Sequence, residues 1–381
     1  MSSPALRDRH EALGAVFTVS AGATVVARYR DPAEEYAAVK RGCGLLDVSA
    51  RGRLAVHGDD GPNLLNRIVT NAVDSLAPGT GRAAVMVTPK GRIVDYVLVL
   101  RRPHHLLLVT SPGLASIIAA TIDKYTIREA VSLEDLTPKT TALLVHGPTA
   151  AEVYAASGVG PLSSCGALSH QELDIAGGPT LFVALPGALA PGFLAVTPCA
   201  RASALFDFLL ESGRSYGLVP IGSDTFEILR IEAGMPAAPH ELSAKYNPLE
   251  AGLRDAVSFR KGCYVGQEVI ARLATYQKVQ RRLAGFALAA GATLGSSESG
   301  GSSRTGGEPD HGLARMWFGS REVGHVTSAA FSPGLGRCIG LAYIRRDAFS
   351  PGRRVIIKQS DREVEGSLCE LPFDAGHPPE T

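Results

Sequence analysis

Two strand-like runs, Arg82 to Val87 and Arg92 to Leu100, are separated by Thr88-Pro89-Lys90-Gly91. Proline presets the backbone angle of one central turn position and glycine tolerates a left-handed one, so these four residues predict a tight turn and the two runs a hairpin. A hairpin imposes antiparallel pairing, whereas a doubly wound parallel sheet requires a long crossover between neighbouring strands. Further strands are predicted at Gly52 to Val56, Leu106 to Thr110 and Thr141 to Val145. Helices are predicted between them. Asp31-Pro32 caps a helix closed by Gly42, and residues 63–69 form a short one. Ser111-Pro112 opens a helix with apolar Leu114, Ile117, Ile118 and Ile122, and two more cover 201–212 and 223–233. Strands and helices joined by tight turns give an α+β fold with antiparallel sheets.

The chain changes character near residue 281. Leu283 to Ala289, Glu322 to Thr327, Cys338 to Ile344 and Arg354 to Lys358 read as short strands, punctuated by Pro333-Gly334 and Pro351-Gly352. That pattern predicts a small β-barrel domain over 281–381. Residues 291–312, rich in glycine and serine, read as a flexible loop inside it.

Lysine plus arginine number 38 against 37 acids, a net charge of +1, which gives no electrostatic reason to expect nucleic acid or an anionic membrane as partner. No apolar run is long enough to span a bilayer, and no apolar stretch follows the charged N-terminus, so a cytoplasmic location is expected. The six cysteines are widely spaced without a Cys-x-x-Cys pair and read as free thiols. Two motifs are discounted on context. Gly79-Thr80-Gly81-Arg82-Ala83-Ala84 fits a loose dinucleotide pattern but precedes a strand where a helix is needed, and Gly213-Arg214-Ser215-Tyr216-Gly217 fits a nucleophile elbow but follows a helix. The histidines are scattered, and no metal site is expected.

Arg260-Lys261-Gly262-Cys263-Tyr264-Val265-Gly266-Gln267-Glu268 stands apart. Two cations precede the thiol, and a helix is predicted from Gln267. Positive charge and free amide groups at a helix start both favour thiolate, so Cys263 is a candidate nucleophile, redox sensor or transient metal ligand, tuned by Lys261 and Arg260. A buried structural cysteine in a turn fits the same local pattern.

Lys-Gly-Cys-Tyr-x-Gly-Gln-Glu resembles the signature of the YgfZ family, a branch of the aminomethyltransferase superfamily with mitochondrial relatives that help mature iron–sulfur proteins. Other stretches resemble that superfamily in order along the chain: Gly44 to Ser49, Thr70-Asn71, Gly91 to Asp95, His146 to Pro148, Arg230 to Gly234, Asn247 to Leu253, Val323 to Ser328 and Phe331 to Gly336. The resemblance implies a three-domain cloverleaf ring, with two interleaved α+β domains in 1–280 and the barrel in 281–381, around a tetrahydrofolate site. In the glycine cleavage T-protein, a carboxylate beside folate N5 and N10 orients transfer of a methylene group from a lipoyl arm. It is the second of two adjacent acids on the hairpin strand, a place taken here by Tyr96, with Asp95 in the first. Neighbouring side chains on a strand face opposite ways, so Asp95 is no simple replacement, and a phenol is a poor base at neutral pH. The acidic loop that reads the pterin edge in T-proteins corresponds to Gly187 to Gly192, which holds no acid, and the expected asparagine is Thr110.

The resemblance therefore implies a folate cleft lined by Met86, Tyr96, Thr110 and Arg230, with Arg230 available to a glutamate tail and Cys263 as the working thiol beside Lys261. The function expected is support of iron–sulfur cluster assembly or repair, with assembly or client proteins as partners. The alternative is a folate-dependent aminomethyltransferase, the form any enzyme activity would take. A folate-free interaction scaffold is the third reading.

Overall fold

The computed structural model of the chain describes residues 4–162, 165–185, 191–294 and 314–373. They form two compact units: Met1–Phe226 with Arg254–Ala271, and Glu227–Leu253 with Arg272–Thr381. No helix among the described residues is long and apolar enough to cross a membrane.

The first unit is built on two antiparallel-dominated sheets. One has five strands in the order Gly81–Val87, Ile93–Arg101, His105–Pro112, Arg51–His57 and Ser132–Asp135. The other has six, in the order His170–Ile175, Gly178–Leu185, Gly192–Pro198, Thr140–His146, Cys43–Asp47 and Leu218–Pro220, the last pairing in parallel. Their facing sides share one core, where Leu98, Leu100, Leu107 and Val109 meet Leu181, Val183, Leu194 and Val196. The outer face of the five-stranded sheet packs Val97, Val99 and Leu108 under helices Gly61–Ile68 and Ala115–Tyr125. The outer face of the six-stranded sheet packs Phe182 and Phe193 under helices Ala150–Ala156 and Ala202–Gly213. Covering both faces of each sheet is why Val97-Leu98-Val99-Leu100 is apolar without interruption: alternate residues enter different cores.

The predicted hairpin is present. Strands Gly81–Val87 and Ile93–Arg101 pair antiparallel, and the Gly91 N–H donates to Thr88 O at 2.8 Å with Gly91 at φ +68°. Asp31 caps the helix Pro32–Arg41, its Oδ1 accepting from Ala33 N at 2.8 Å. One helix start is corrected. Ser111-Pro112 ends the strand His105–Pro112 and the helix begins at Ala115, because Ser111 N donates to the buried Asp95 carboxylate and Pro112 pairs with Arg51. In the resulting phase Ile118 and Ile122 are buried, whereas Ile117 is 50% exposed.

The second unit holds a closed six-stranded barrel in the order Arg281–Leu288, Arg337–Arg345, Arg321–Ser332, Ala314–Phe318, Arg354–Gln359 and Arg362–Cys369. Ala284, Phe286, Met316, Val326, Ala342 and Ile344 fill it. Two of its strands, Ala314–Phe318 and Arg362–Cys369, were not among those predicted. The segment Glu227–Leu253 belongs to this unit. Leu283 N donates to Glu250 O at 2.8 Å, and the buried Tyr343 hydroxyl donates to Glu241 O at 2.8 Å. Most of the Gly/Ser-rich loop, as residues 295–313, lies outside the described residues, as does 186–190 of the loop matched to the pterin-reading segment.

Candidate functional site

The strand Ile93–Arg101 presents Asp95 and Tyr96 to opposite faces, as strand geometry requires. Asp95 has no exposed surface. Its carboxylate accepts from Tyr96 N at 2.8 Å and from Ser111 N at 2.9 Å. Burial raises its pKa, opposed by the Ser111 hydrogen bonds and by the positive charge of Arg51. Tyr96 is half-buried against the core between the sheets. Burial likewise raises the pKa of its phenol, opposed by Arg51 and reinforced by Asp255. A side chain held as a neutral phenol donates a hydrogen bond but does not take up a proton as a carboxylate does.

Arg51, which sequence reasoning passed over, links these groups. Its Nε donates to Thr110 O at 3.5 Å, and its charge acts on both Asp95 and Tyr96. A single arginine at the start of a strand reads as a solvated charge, so no pattern marked it. Thr110 is fully buried with Oγ1 donating to Ser111 O at 3.1 Å, and a Cβ at Gly52 would stand 2.2 Å from that oxygen. The strands thus bring Arg51, Asp95, Tyr96 and Thr110 into one neighbourhood. Thr110 and Met86 both have no exposed surface, a correction to their expected places on a cleft wall: the Thr110 hydroxyl turns inward against Gly52 and donates to Ser111 O, and the pairing of its strand turns Met86 with Ala84 into the core beneath the helices.

The Cys263 loop is held by its neighbours. Thr70 Oγ1 donates to Ala256 O at 2.7 Å, Asn71 Nδ2 to Asp255 O at 3.2 Å, and Ser258 N to Thr70 O at 2.9 Å. Lys261 Nζ donates to Asn66 O, Val69 O and Asn71 O at 2.5, 2.9 and 2.8 Å. These are carbonyls at and just beyond the end of the helix Gly61–Ile68, where a helix lacks internal donors. Burial pushes the Lys261 pKa down to about 8, opposed by Asp74, which still leaves the group charged at neutral pH. The ammonium expected to tune the thiol is instead committed to a helix terminus. Gly266, at φ +78°, lies so close to Thr88 O that a Cβ would stand 2.6 Å from it. Tyr264 is buried, and the helix Gln267–Thr275 begins where predicted.

Cys263 itself is exposed, whereas Cys43, Cys338 and Cys369 are buried and Cys165 and Cys199 half-buried. Burial also raises the pKa of Cys43 and Cys369 to about 11. Cys263 is therefore expected to react with iodoacetamide at pH 7 faster than the other five thiols. Mass-spectrometric mapping of a labelling time course checks this; labelling of Cys263 no faster than of the buried cysteines contradicts it.

Arg230 belongs to the second unit and is 2% exposed. It donates to Glu227 through Nε at 2.6 Å and Nη2 at 2.5 Å, to Glu241 Oε2 at 3.0 Å, to Met235 O at 3.0 Å and to Ser328 Oγ at 2.6 Å. Burial works against its charge, but Glu241 and Glu227 outweigh it and raise its pKa. The guanidinium expected to meet a folate tail is occupied by partners within its own unit.

This arrangement, two sheets packed face to face with a covering layer of helices on each, in a chain that ends in a six-stranded barrel, defines an α+β protein of the aminomethyltransferase fold. Residues 6–261 match the GCVT N-terminal domain and residues 302–374 the glycine cleavage T-protein C-terminal barrel domain, so the chain belongs to the GCVT family. It is 30% identical to an aminomethyltransferase of Saccharopolyspora erythraea over 98% of this chain and 99% of that one. It is 31% identical to a putative chloroplastic transferase of Arabidopsis thaliana over 93% of this chain and 77% of the relative. The crystal structure of the glycine cleavage system aminomethyltransferase T from Bartonella henselae superimposes with a TM-score of 0.82 over 98% of both chains, at 22% identity, which establishes a shared fold.

Proposed function

We propose that this protein binds tetrahydrofolate through the aminomethyltransferase-type fold but lacks the carboxylate that drives group transfer in the T-protein, and that Cys263 is its working thiol. The observation carrying this reading is the state of the strand Ile93–Arg101. Its acid, Asp95, is buried and bonded to two backbone amides, and the position the resemblance assigns to the orienting carboxylate is the phenol of Tyr96. Arg51 and Tyr96 remain as polar groups for ligand orientation, with Arg51 supplying the positive charge. The reading places the protein in the YgfZ branch, and its biological role would then be support of iron–sulfur cluster assembly or repair. Support for that role is the Lys261–Glu268 motif together with the exposure of the one thiol it contains.

A second reading, a folate-dependent aminomethyltransferase, is favoured by the end-to-end match to relatives of that name. Calorimetric titration of the full chain with tetrahydrofolate tests what both share. Saturable binding, weakened in Tyr96→Ala, is expected. No heat and no thermal shift at millimolar ligand would leave a folate-free scaffold as the surviving reading.

A further inference from the structure

The second unit carries a cavity of about 260 Å³, lined by none of the six residues singled out from the sequence. Its size is near the lower bound of about 300 Å³ for small-molecule pockets. Lys245, Arg281, Arg315 and Arg345 line it, and Glu322 is the acid among its lining residues. The lining thus holds four cations and one acid; Arg315 pairs with Glu322 at 3.0 Å and Arg345 with Asp347 at 3.4 Å. The chain as a whole has a net charge of only +1, so this concentration is local and not a by-product of a basic protein.

Strand register explains how the cations meet. Met316, Val326, Ala342, Ile344 and Ala284 point into the barrel, and alternation sends Arg315, His325, Tyr343, Arg345 and Arg281 to its outer wall. Arg315 pairs with His325, and His325 with Tyr343, in a row across three strands. Two residues along the same face, Arg281 stands directly opposite Arg345. Like charges facing each other across a strand pair are destabilising, a cost that an anion between them would remove.

The floor is rigid and aromatic. Tyr246 stacks on Tyr343 with ring centroids 3.5 Å apart, and its hydroxyl hydrogen-bonds His325 Nε2. Both tyrosines are buried, whereas Lys245, Arg281, Arg315 and Arg345 are exposed at the rim. Gly324 brings the backbone close beneath them, since a Cβ there would lie 2.3 Å from Tyr343 O. Long flexible cations around a fixed, buried floor make a site for a small ligand of high negative charge density.

We propose that this outer-wall cavity of the barrel unit binds a small polyanion, a phosphate or polycarboxylate group held between Arg281 and Arg345. The inference is independent of the folate reading. Its test is calorimetry of the full-length protein with pyrophosphate and with citrate, at constant ionic strength. Saturable binding is expected. Arg281→Gln and Arg345→Gln should each weaken it about tenfold or more, as loss of a charge-assisted contact requires, while Arg362→Gln, on a strand that does not line the cavity, should bind as the wild type does. Tighter binding of pyrophosphate assigns a phosphate ligand, and tighter binding of citrate a polycarboxylate. In the unliganded protein, Arg281→Gln should melt no lower than the wild type. Absence of saturable binding to either probe would overturn the proposal, as would equal losses in all three variants or no loss in Arg281→Gln and Arg345→Gln.

Discussion

Arg230→Met is expected to lower the stability of the protein by about 4 kcal/mol, as removal of one partner from a buried ion pair does. Glu241 has no exposed surface and would lose its countercharge, while Met235 O and Ser328 Oγ would lose a donor. Guanidinium unfolding reads this as a large fall in midpoint. The double variant Arg230→Met with Glu241→Gln should recover a substantial part of the loss, because the stranded charge is gone. An arginine whose role is to hold a ligand would behave differently: the midpoint in the absence of ligand would stay where it is and only folate affinity would fall.

Lys261→Met is expected to cost about 3 kcal/mol, the scale of charge-assisted hydrogen bonds lost together with the carbonyls they satisfied. Asn66 O, Val69 O and Asn71 O converge on one ammonium nitrogen. Lys261→Arg should not rescue it, because a planar fork spreads its donors and cannot bring three of them to one point. Urea unfolding of both variants checks this. If Lys261 acted only on the thiol, alkylation of Cys263 would slow and the unfolding midpoint would stay unchanged.

These two residues also show what the sequence could and could not disclose. Local chemistry was legible: the turn Thr88–Gly91, the Asp31 cap, the helix start at Gln267 and the first barrel strand near residue 281 are all set by residues close in sequence. Long-range partners were not. Lys261 reads as a neighbour of Cys263, yet its donors go to a helix end almost two hundred residues earlier. Arg230 reads as a free cation, yet Glu241 and Ser328 close around it. Ile117 fits a helical stripe whose phase was fixed only when Asp95 captured Ser111 N and delayed the helix to Ala115. Arg362–Cys369 is half-polar and Ala314–Phe318 only five residues long, and barrel closure supplies the pairing that their own sequences do not signal. Among the six site candidates, Tyr96 and Thr110 share a neighbourhood with Arg51. Met86 enters a core and Thr110 is fully buried, while Cys263 stands exposed on a loop in which Lys261, Tyr264 and Gly266 are held by structural contacts.

That last contrast frames the central claim, which is that a folate-type fold is kept while its group-transfer chemistry is not. The most direct measurement is steady-state glycine cleavage with lipoylated carrier protein, glycine and tetrahydrofolate, using the wild-type chain as the transferase component. The account predicts turnover at the level of the reaction without it, because Asp95 is sequestered and Tyr96 offers no carboxylate. Sustained methylene transfer to tetrahydrofolate by the wild-type protein would contradict it and leave the aminomethyltransferase reading in its place.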